Sequence, residues 1–218
     1  MIIFLIGMSR AGKTETGRAL SKKLKASFID TDFYMEEVYG KNIRELYQVF
    51  GEKKFRLKEF ECLNKIIEKI IEKFSPCSNE TNAVHCGCEN AVHCDDINDV
   101  HCGCKNAVHC DEVNAIVSTG GGYAENEAII KKLKDFPRII LIDTAPAEIF
   151  YRIKTAAHKE GFYPAFLGEN IKNEKEAEDR FFSIYKRRIK IYKALASFSI
   201  NPRGLSPDET ADKIISSL

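Results

Sequence analysis

Short apolar runs alternate along this chain with longer stretches of helical periodicity. Met1-Ile-Ile-Phe-Leu-Ile6 is apolar throughout, as a strand buried on both faces requires. In Thr14–Leu24, Gly17, Leu20 and Leu24 share one helical face. Phe28 and Ile29 read as the end of a second buried strand, with a helix from Phe33 to Tyr39 after it. Gly51 opens a long helix whose apolar stripe of Phe60, Leu63, Ile67, Ile70, Ile71 and Phe74 is assigned to the core. Ala115–Thr119 is the next strand; Ala128, Ile129, Ile130 and Leu133 mark a helix, and Arg138–Asp143 is a strand again. Pro146–Arg152 starts another helix, Glu174–Leu195 is a long charged one, and Ser197–Ile200 is the last strand. Ser206-Pro-Asp-Glu209 is a capping box with proline at the first helical position. It opens a final helix with Ala211, Ile214, Ile215 and Leu218 facing inward. Alternating strands and helices predict an α/β fold: a five-stranded parallel sheet between two helical layers.

Two stretches break the alternation. Residues 155–174 are polar and irregular, with Gly161, Pro164, Gly168 and several lysines, and read as a mobile lid. Residues 84–115 are four octads that open with Val-His-Cys and set His85, His93, His101 and His109 in register. Six of the eight cysteines fall in them. An even period would put the histidines of an extended chain on one face and these cysteines on the other. Such a set suits zinc or copper, yet Cys-x-Cys beside His is not a zinc-finger spacing. A bland tandem duplication, a metal-binding module and a disulfide cross-link all remain open. The stretch lies between a core helix and a core strand, so 77–113 is an insertion whose deletion should leave the rest folded.

Composition narrows the function classes. With 218 residues and 44% hydrophobic content, the chain can form one α/β domain with decorations. A net charge of +1 gives no long-range pull toward nucleic acid or anionic membrane. No apolar run approaches the length of a membrane span. The apolar start lacks a basic leader and runs straight into a glycine loop, so it reads as a strand and not a signal peptide. The expected setting is the cytoplasm, with mostly reduced cysteines.

That loop, Gly7-Met8-Ser9-Arg10-Ala11-Gly12-Lys13-Thr14, fits the phosphate-cradling pattern G-x-x-x-x-G-K-[ST] between a strand and a helix. Gly7 and Gly12 let the backbone wrap a polyphosphate, and its N–H groups with the helix N-terminus supply donors. Lys13 would reach the β- and γ-phosphates, and the Thr14 hydroxyl would bind Mg²⁺. Asp30 and Asp32 stand at the carboxyl edge of the second strand, where open sheets bind ligands. Strand alternation puts both on one side; alternatively, Asp32 caps the next helix. Arg56 and Glu59, three apart, form either a carboxylate receiver or an ordinary surface pair. Gly120-Gly121-Gly122 ends a strand and reads as a site wall.

Together, Gly7–Thr14, Asp30-Thr-Asp32, Phe55-Arg56-x-x-Glu59, Gly120–Gly122 and Arg188-x-x-x-Tyr192 resemble the shikimate kinase family, of the nucleoside-monophosphate-kinase fold. They occur in the family's order and cover most of the chain outside the insertion, making 1–218 one domain of that kind. The resemblance implies ATP- and Mg²⁺-dependent phosphorylation of the shikimate 3-hydroxyl. It gives Ser9, Arg10, Ala11, Gly12, Lys13, Thr14 and Glu15 to the nucleotide, with Gly7. It makes Asp32 the base and hydroxyl ligand, has Asp30 support Mg²⁺ through water, and sets Arg56, held by Glu59, with Arg188 on the carboxylate. Gly120, Gly121 and Gly122 would offer backbone N–H groups to the substrate; Arg152 and the loop from Arg203 to Pro207 would lie at the adenine. The implied partner is a small molecule, bound by a monomer, with no nucleic acid or membrane. The lid departs from the family, which has Arg-Pro where this chain has Tyr163-Pro164. Lys154, Lys159 and Lys172 are candidate substitutes for that arginine. A gluconate-type kinase, or a non-catalytic degenerate kinase with a metal-binding repeat, are the competing readings.

Overall fold

The computed structural model describes residues 1–74, 113–168 and 170–218. Strands β1 (Ile2–Ile6), β2 (Ser27–Asp30), β3 (Ala115–Ser118), β4 (Ile139–Ile142) and β5 (Phe198–Ile200) pair in parallel in the order β2-β3-β1-β4-β5. Phe4 aligns with Val117 on one side and Ile139 on the other. Every residue of β1, β3 and β4 is buried. Successive strand residues point to opposite faces, so the sheet centre is covered on both. The unbroken Ile/Leu/Val/Phe runs are what such a position demands, and they form the main core with Leu20, Leu63, Ile67, Ile129, Phe181 and Ile214.

Helices α1 (Lys13–Leu24), α2 (Thr31–Tyr39), α3 (Ile43–Phe74), α4 (Glu127–Leu133), α5 (Pro146–Glu160), α6 (Glu174–Leu195) and α7 (Pro207–Ile215) supply the cover. α1 packs on α7, α2 on α3, and α5 on α6. The α7 capping box forms in full.

Three boundaries and one core assignment differ from the sequence expectation. α2 begins at Thr31, and its cap is Asp30, not Asp32: Asp30 Oδ1 accepts from the Asp32 and Phe33 amides at 3.0 and 3.5 Å. The two acids therefore come together through a helix start and not through strand alternation. α3 begins eight residues before Gly51, which breaks it with φ 66° and ψ 165°. Within α3, Ile70 is buried but Ile71 is 53% exposed, because one residue turns the helix by about 100°. α5 continues to Glu160 and stops at Gly161, whose φ of 82° lies in the left-handed region. Residues 155–160 are thus helix, and the irregular stretch starts later than the pattern suggested.

The carboxyl ends of the strands carry the chemistry. At the opposite edge, Met1, Lys73, Phe74, Val113 and Asn114 border a second hollow. The described chain thus breaks off at Phe74 and resumes at Val113 on the amino side of the sheet. Residues 84–112 of the octads, with His85, His93, His101, His109 and their cysteines, lie outside the described residues, as does all but Val113 of the 77–113 insertion; the last three octad residues are Val113, Asn114 and Ala115, and Ala115 opens β3. No described helix is long and apolar enough to cross a membrane.

Candidate active site

The cradle is built from β1 and the start of α1. Gly7 and Gly12 have φ 140° and 98°, and a Cβ at Gly7 would lie 2.9 Å from the Ile142 carbonyl oxygen. Gly12 caps α1, aiming the first-turn amides at the loop's concavity. Lys13 is buried, and its Nζ donates to the Met8 carbonyl at 2.8 Å. The Thr144 hydroxyl fixes the loop from below through the Ala11 carbonyl, at 2.7 Å.

Thr14 Oγ1 donates to Asp30 Oδ2 at 2.7 Å, joining the two residues expected around magnesium. Two hard oxygens beside a phosphate cradle fit Mg²⁺, which keeps several waters and takes one or two protein oxygens plus phosphates. No cluster of three or more acidic, His or Cys side chains among the described residues could hold a metal by itself.

Asp32 and Lys13 border the same cavity and act on each other electrostatically. Burial, then the Asp30 carboxylate, raises its pKa to about 7, against the opposing pull of Lys13. Burial lowers Lys13 to about 8, although both aspartates favour its charged form. A carboxylate that titrates near neutrality is suited to accept a proton from a hydroxyl.

The glycine triplet is packed on three sides by functional groups. A Cβ on Gly120 would lie 2.6 Å from Asp32 Oδ1, one on Gly121 2.4 Å from the Ser9 amide nitrogen, and one on Gly122 2.6 Å from Arg56 Nη1. The Gly120 N–H donates to Thr31 Oγ1 at 2.9 Å, so only the Gly121 and Gly122 amides remain for a ligand.

Arg56 Nη1 donates to Glu59 Oε2 at 2.9 Å, and Glu59 is only 4% exposed, which makes the pair a built clamp and not a surface contact. Arg188, 2% exposed, is fixed by Nη1 on the Gly121 carbonyl at 2.9 Å, where the Tyr192 hydroxyl also donates at 3.0 Å. The sequence reading missed Glu125. Its Oε2 accepts from Arg56 Nη2 at 3.2 Å and Arg188 Nη2 at 2.6 Å, and its Oε1 from Arg187. Arg188 and Arg187 hold this carboxyl down at about pKa 2 despite partial burial. The only signal in the sequence was an acid shortly after the glycines, with no periodicity to mark it. Glu125→Gln should raise KM for the carboxylate substrate roughly tenfold with kcat far less affected, since the loss is in binding. Steady-state kinetics check this, and an unchanged KM removes Glu125 from the clamp.

Ser9, Arg10, Gly12, Lys13, Thr14, Glu15, Asp30, Asp32, Arg56, Gly120–Gly122, Arg152 and Arg188 all border one cavity of about 1060 Å³. Gly7 and Ala11 shape the loop from beneath. Arg152 Nη1 donates to the Arg10 carbonyl at 3.0 Å. Residues 203–207 do not border the cavity, and neither do Lys154, Lys159 and Lys172. Lys154 instead donates to Glu174 at 2.7 Å. Lys154 and Lys159 lie on α5 and Lys172 precedes α6, and none of the three takes the place of the lid arginine at the cavity.

A strand, a glycine cradle, a buried lysine and an acid-supported hydroxyl over a small-molecule cavity define a P-loop phosphotransferase. The family model described as shikimate kinase matches residues 9–73 and 105–218, and the chain belongs to the shikimate kinase family. A shikimate kinase of Thermodesulfovibrio yellowstonii is 27% identical over 213 residues, covering 98% of this chain and 92% of the relative. One from Clostridium botulinum is 48% identical over 64 residues, 29% of this chain and 38% of that protein. Among solved structures, shikimate kinase from Acinetobacter baumannii in complex with shikimate superposes with a TM-score of 0.68 at 21% identity, covering 99% of this chain and 91% of that one. Shikimate kinase from Bacteroides thetaiotaomicron gives 0.67 at 22%, covering 100% and 99%. These two likenesses establish the common fold. Membership makes the chain a kinase that phosphorylates shikimate with ATP and Mg²⁺, and favours that activity over a gluconate-type or non-catalytic protein.

Proposed function

We propose that shikimate lies with its carboxylate on Arg56 and Arg188 and its 3-hydroxyl at Asp32, facing a polyphosphate held by Ser9–Glu15. One observation carries this reading. Arg56 and Arg188 both border the cavity, and Glu125 holds their guanidiniums side by side. Two fixed guanidiniums at one end of a cavity form a receiver for a carboxylate.

In the transfer, Asp32 takes the proton from the 3-hydroxyl as that oxygen bonds to the γ-phosphorus. The bond from the γ-phosphorus to the β-phosphate oxygen breaks, and ADP leaves. Lys13 and the cradle amides stabilise charge on the phosphates. Thr14, and Asp30 through water, would hold Mg²⁺, which would supply positive charge to the phosphates. Arg152 borders the nucleotide end.

The stretch after Gly161 acts as the lid, supported by the Phe166 ring 5.1 Å from the Arg188 guanidinium. Residues 77–113 are an insertion outside the catalytic unit, and the working protein is a monomer of the cytoplasm. The test is ADP release with shikimate, with gluconate and with no acceptor, in parallel. Shikimate-dependent turnover is expected, and equal release in all three arms overturns the reading.

A further inference from the structure

Five arginines border the cavity: Arg10, Arg44, Arg56, Arg152 and Arg188. Four have a carboxylate within ion-pair distance: Glu160 for Arg10, Glu59 and Glu125 for Arg56, Glu148 for Arg152 and Glu125 for Arg188. Arg44, half-buried near the start of α3, is the exception among the described residues. Its Nη1 donates to the Tyr163 carbonyl at 2.6 Å, and its guanidinium carbon lies 4.3 Å from the Phe162 ring centroid. Both partners belong to the stretch after Gly161, where Phe162 borders the same cavity, and both are neutral. They fix the guanidinium in position without cancelling its charge.

A cation held in place at the wall of the cavity attracts an anion bound there. The carboxylate end already has Arg56 and Arg188, and the polyphosphate has the cradle and Lys13. The remaining anion in the proposed reaction is the phosphoryl group as it passes between them. Its equatorial oxygens gather charge in the transition state, where a fixed guanidinium is most effective.

We propose that Arg44 is a further catalytic residue, delivering its guanidinium to the phosphoryl group in transfer, with Tyr163 and Phe162 as its docking points. This rests on the kinase reading above and names the cation its chemistry lacks. Arg44 comes from α3 and touches, through the Tyr163 carbonyl, the position where the family resemblance places an arginine.

Arg44→Gln separates charge from tethering, because the glutamine amide still donates to a carbonyl but carries no charge. Arg44→Gln should lower kcat for shikimate about 10²-fold or more, with KM for shikimate and ATP within about threefold. Added guanidinium ion at tens of millimolar should restore part of kcat in Arg44→Ala and none in Asp32→Asn. A melting temperature matching wild type keeps misfolding from mimicking the result. If Arg44→Gln turns over like wild type, or guanidinium restores nothing in Arg44→Ala, the assignment falls. Wild-type turnover, measured alongside, reports on the kinase reading by itself: without it that reading fails first.

Discussion

Asp32→Asn lowers kcat by roughly 10²–10⁴-fold, the range for losing a positioned general base, and raises the melting temperature at pH 8. Both effects follow from one placement. The carboxyl sits in a recess beside Asp30, and its pKa of about 7 lies far above the ordinary 3.8. The unfolded chain ionises first, so the fold loses stability as pH rises from about 4 to about 7 and stays weakened above that. Asparagine mimics the protonated form and escapes the loss. The melting-temperature difference is therefore largest at pH 8 and closes toward pH 4. Wild-type turnover should rise through about pH 7 as Asp32 ionises and decline above about 8 as Lys13 loses its proton. Differential scanning fluorimetry with pH-resolved kinetics checks the pair. Equal melting temperatures at pH 8, or an asparagine variant with near-normal kcat, would remove Asp32 from the role of base.

Gly121→Ala abolishes measurable turnover, whereas alanine at Gly120 or Gly122 leaves a reduced activity. The difference lies in what the new methyl group meets. At Gly121 it would press on the Ser9 amide nitrogen and Cα at 2.4 and 2.7 Å, backbone atoms of the cradle that cannot rotate away. At Gly120 and Gly122 it meets the ends of Asp32 and Arg56, side chains that can swing aside at the expense of their alignment. Overpacking of this kind costs about 1–3 kcal/mol, here taken from the geometry of the phosphate site. ATP binding by calorimetry should fail for Gly121→Ala and survive for the other two. Retained ATP affinity in Gly121→Ala would mean that the cradle tolerates displacement.

Strand positions were legible because a doubly covered sheet demands unbroken apolar runs, and β1, β3 and β4 are such runs. The glycine cradle was legible because only its residue types permit its backbone. Glu125 was not legible. Its role depends on α3 and α6 bringing Arg56 and Arg188 to it from 69 and 63 residues away, and nothing local encodes that. Arg44 escaped for a similar reason: its partner Tyr163 is 119 residues distant. Asp30 and Asp32 were recognised as a pair, but for the wrong geometric reason, since a helix cap looks like one more strand residue until the turn is seen. Of the lysines considered for the lid, Lys154 and Lys159 lie on α5, which runs to Glu160, and neither they nor Lys172 border the cavity.

The amino edge of the sheet, where Phe74 and Val113 border the same hollow, has a genetic consequence. Repeat tracts gain and lose units when replication slips, and here every unit is eight codons, so the reading frame survives each event. Phe74 and Val113 border a hollow separate from the site cavity, so a change in unit number between them need not displace the catalytic residues. Sister lineages of this gene should differ in octad count while sharing the cradle, the acid pair and the clamp.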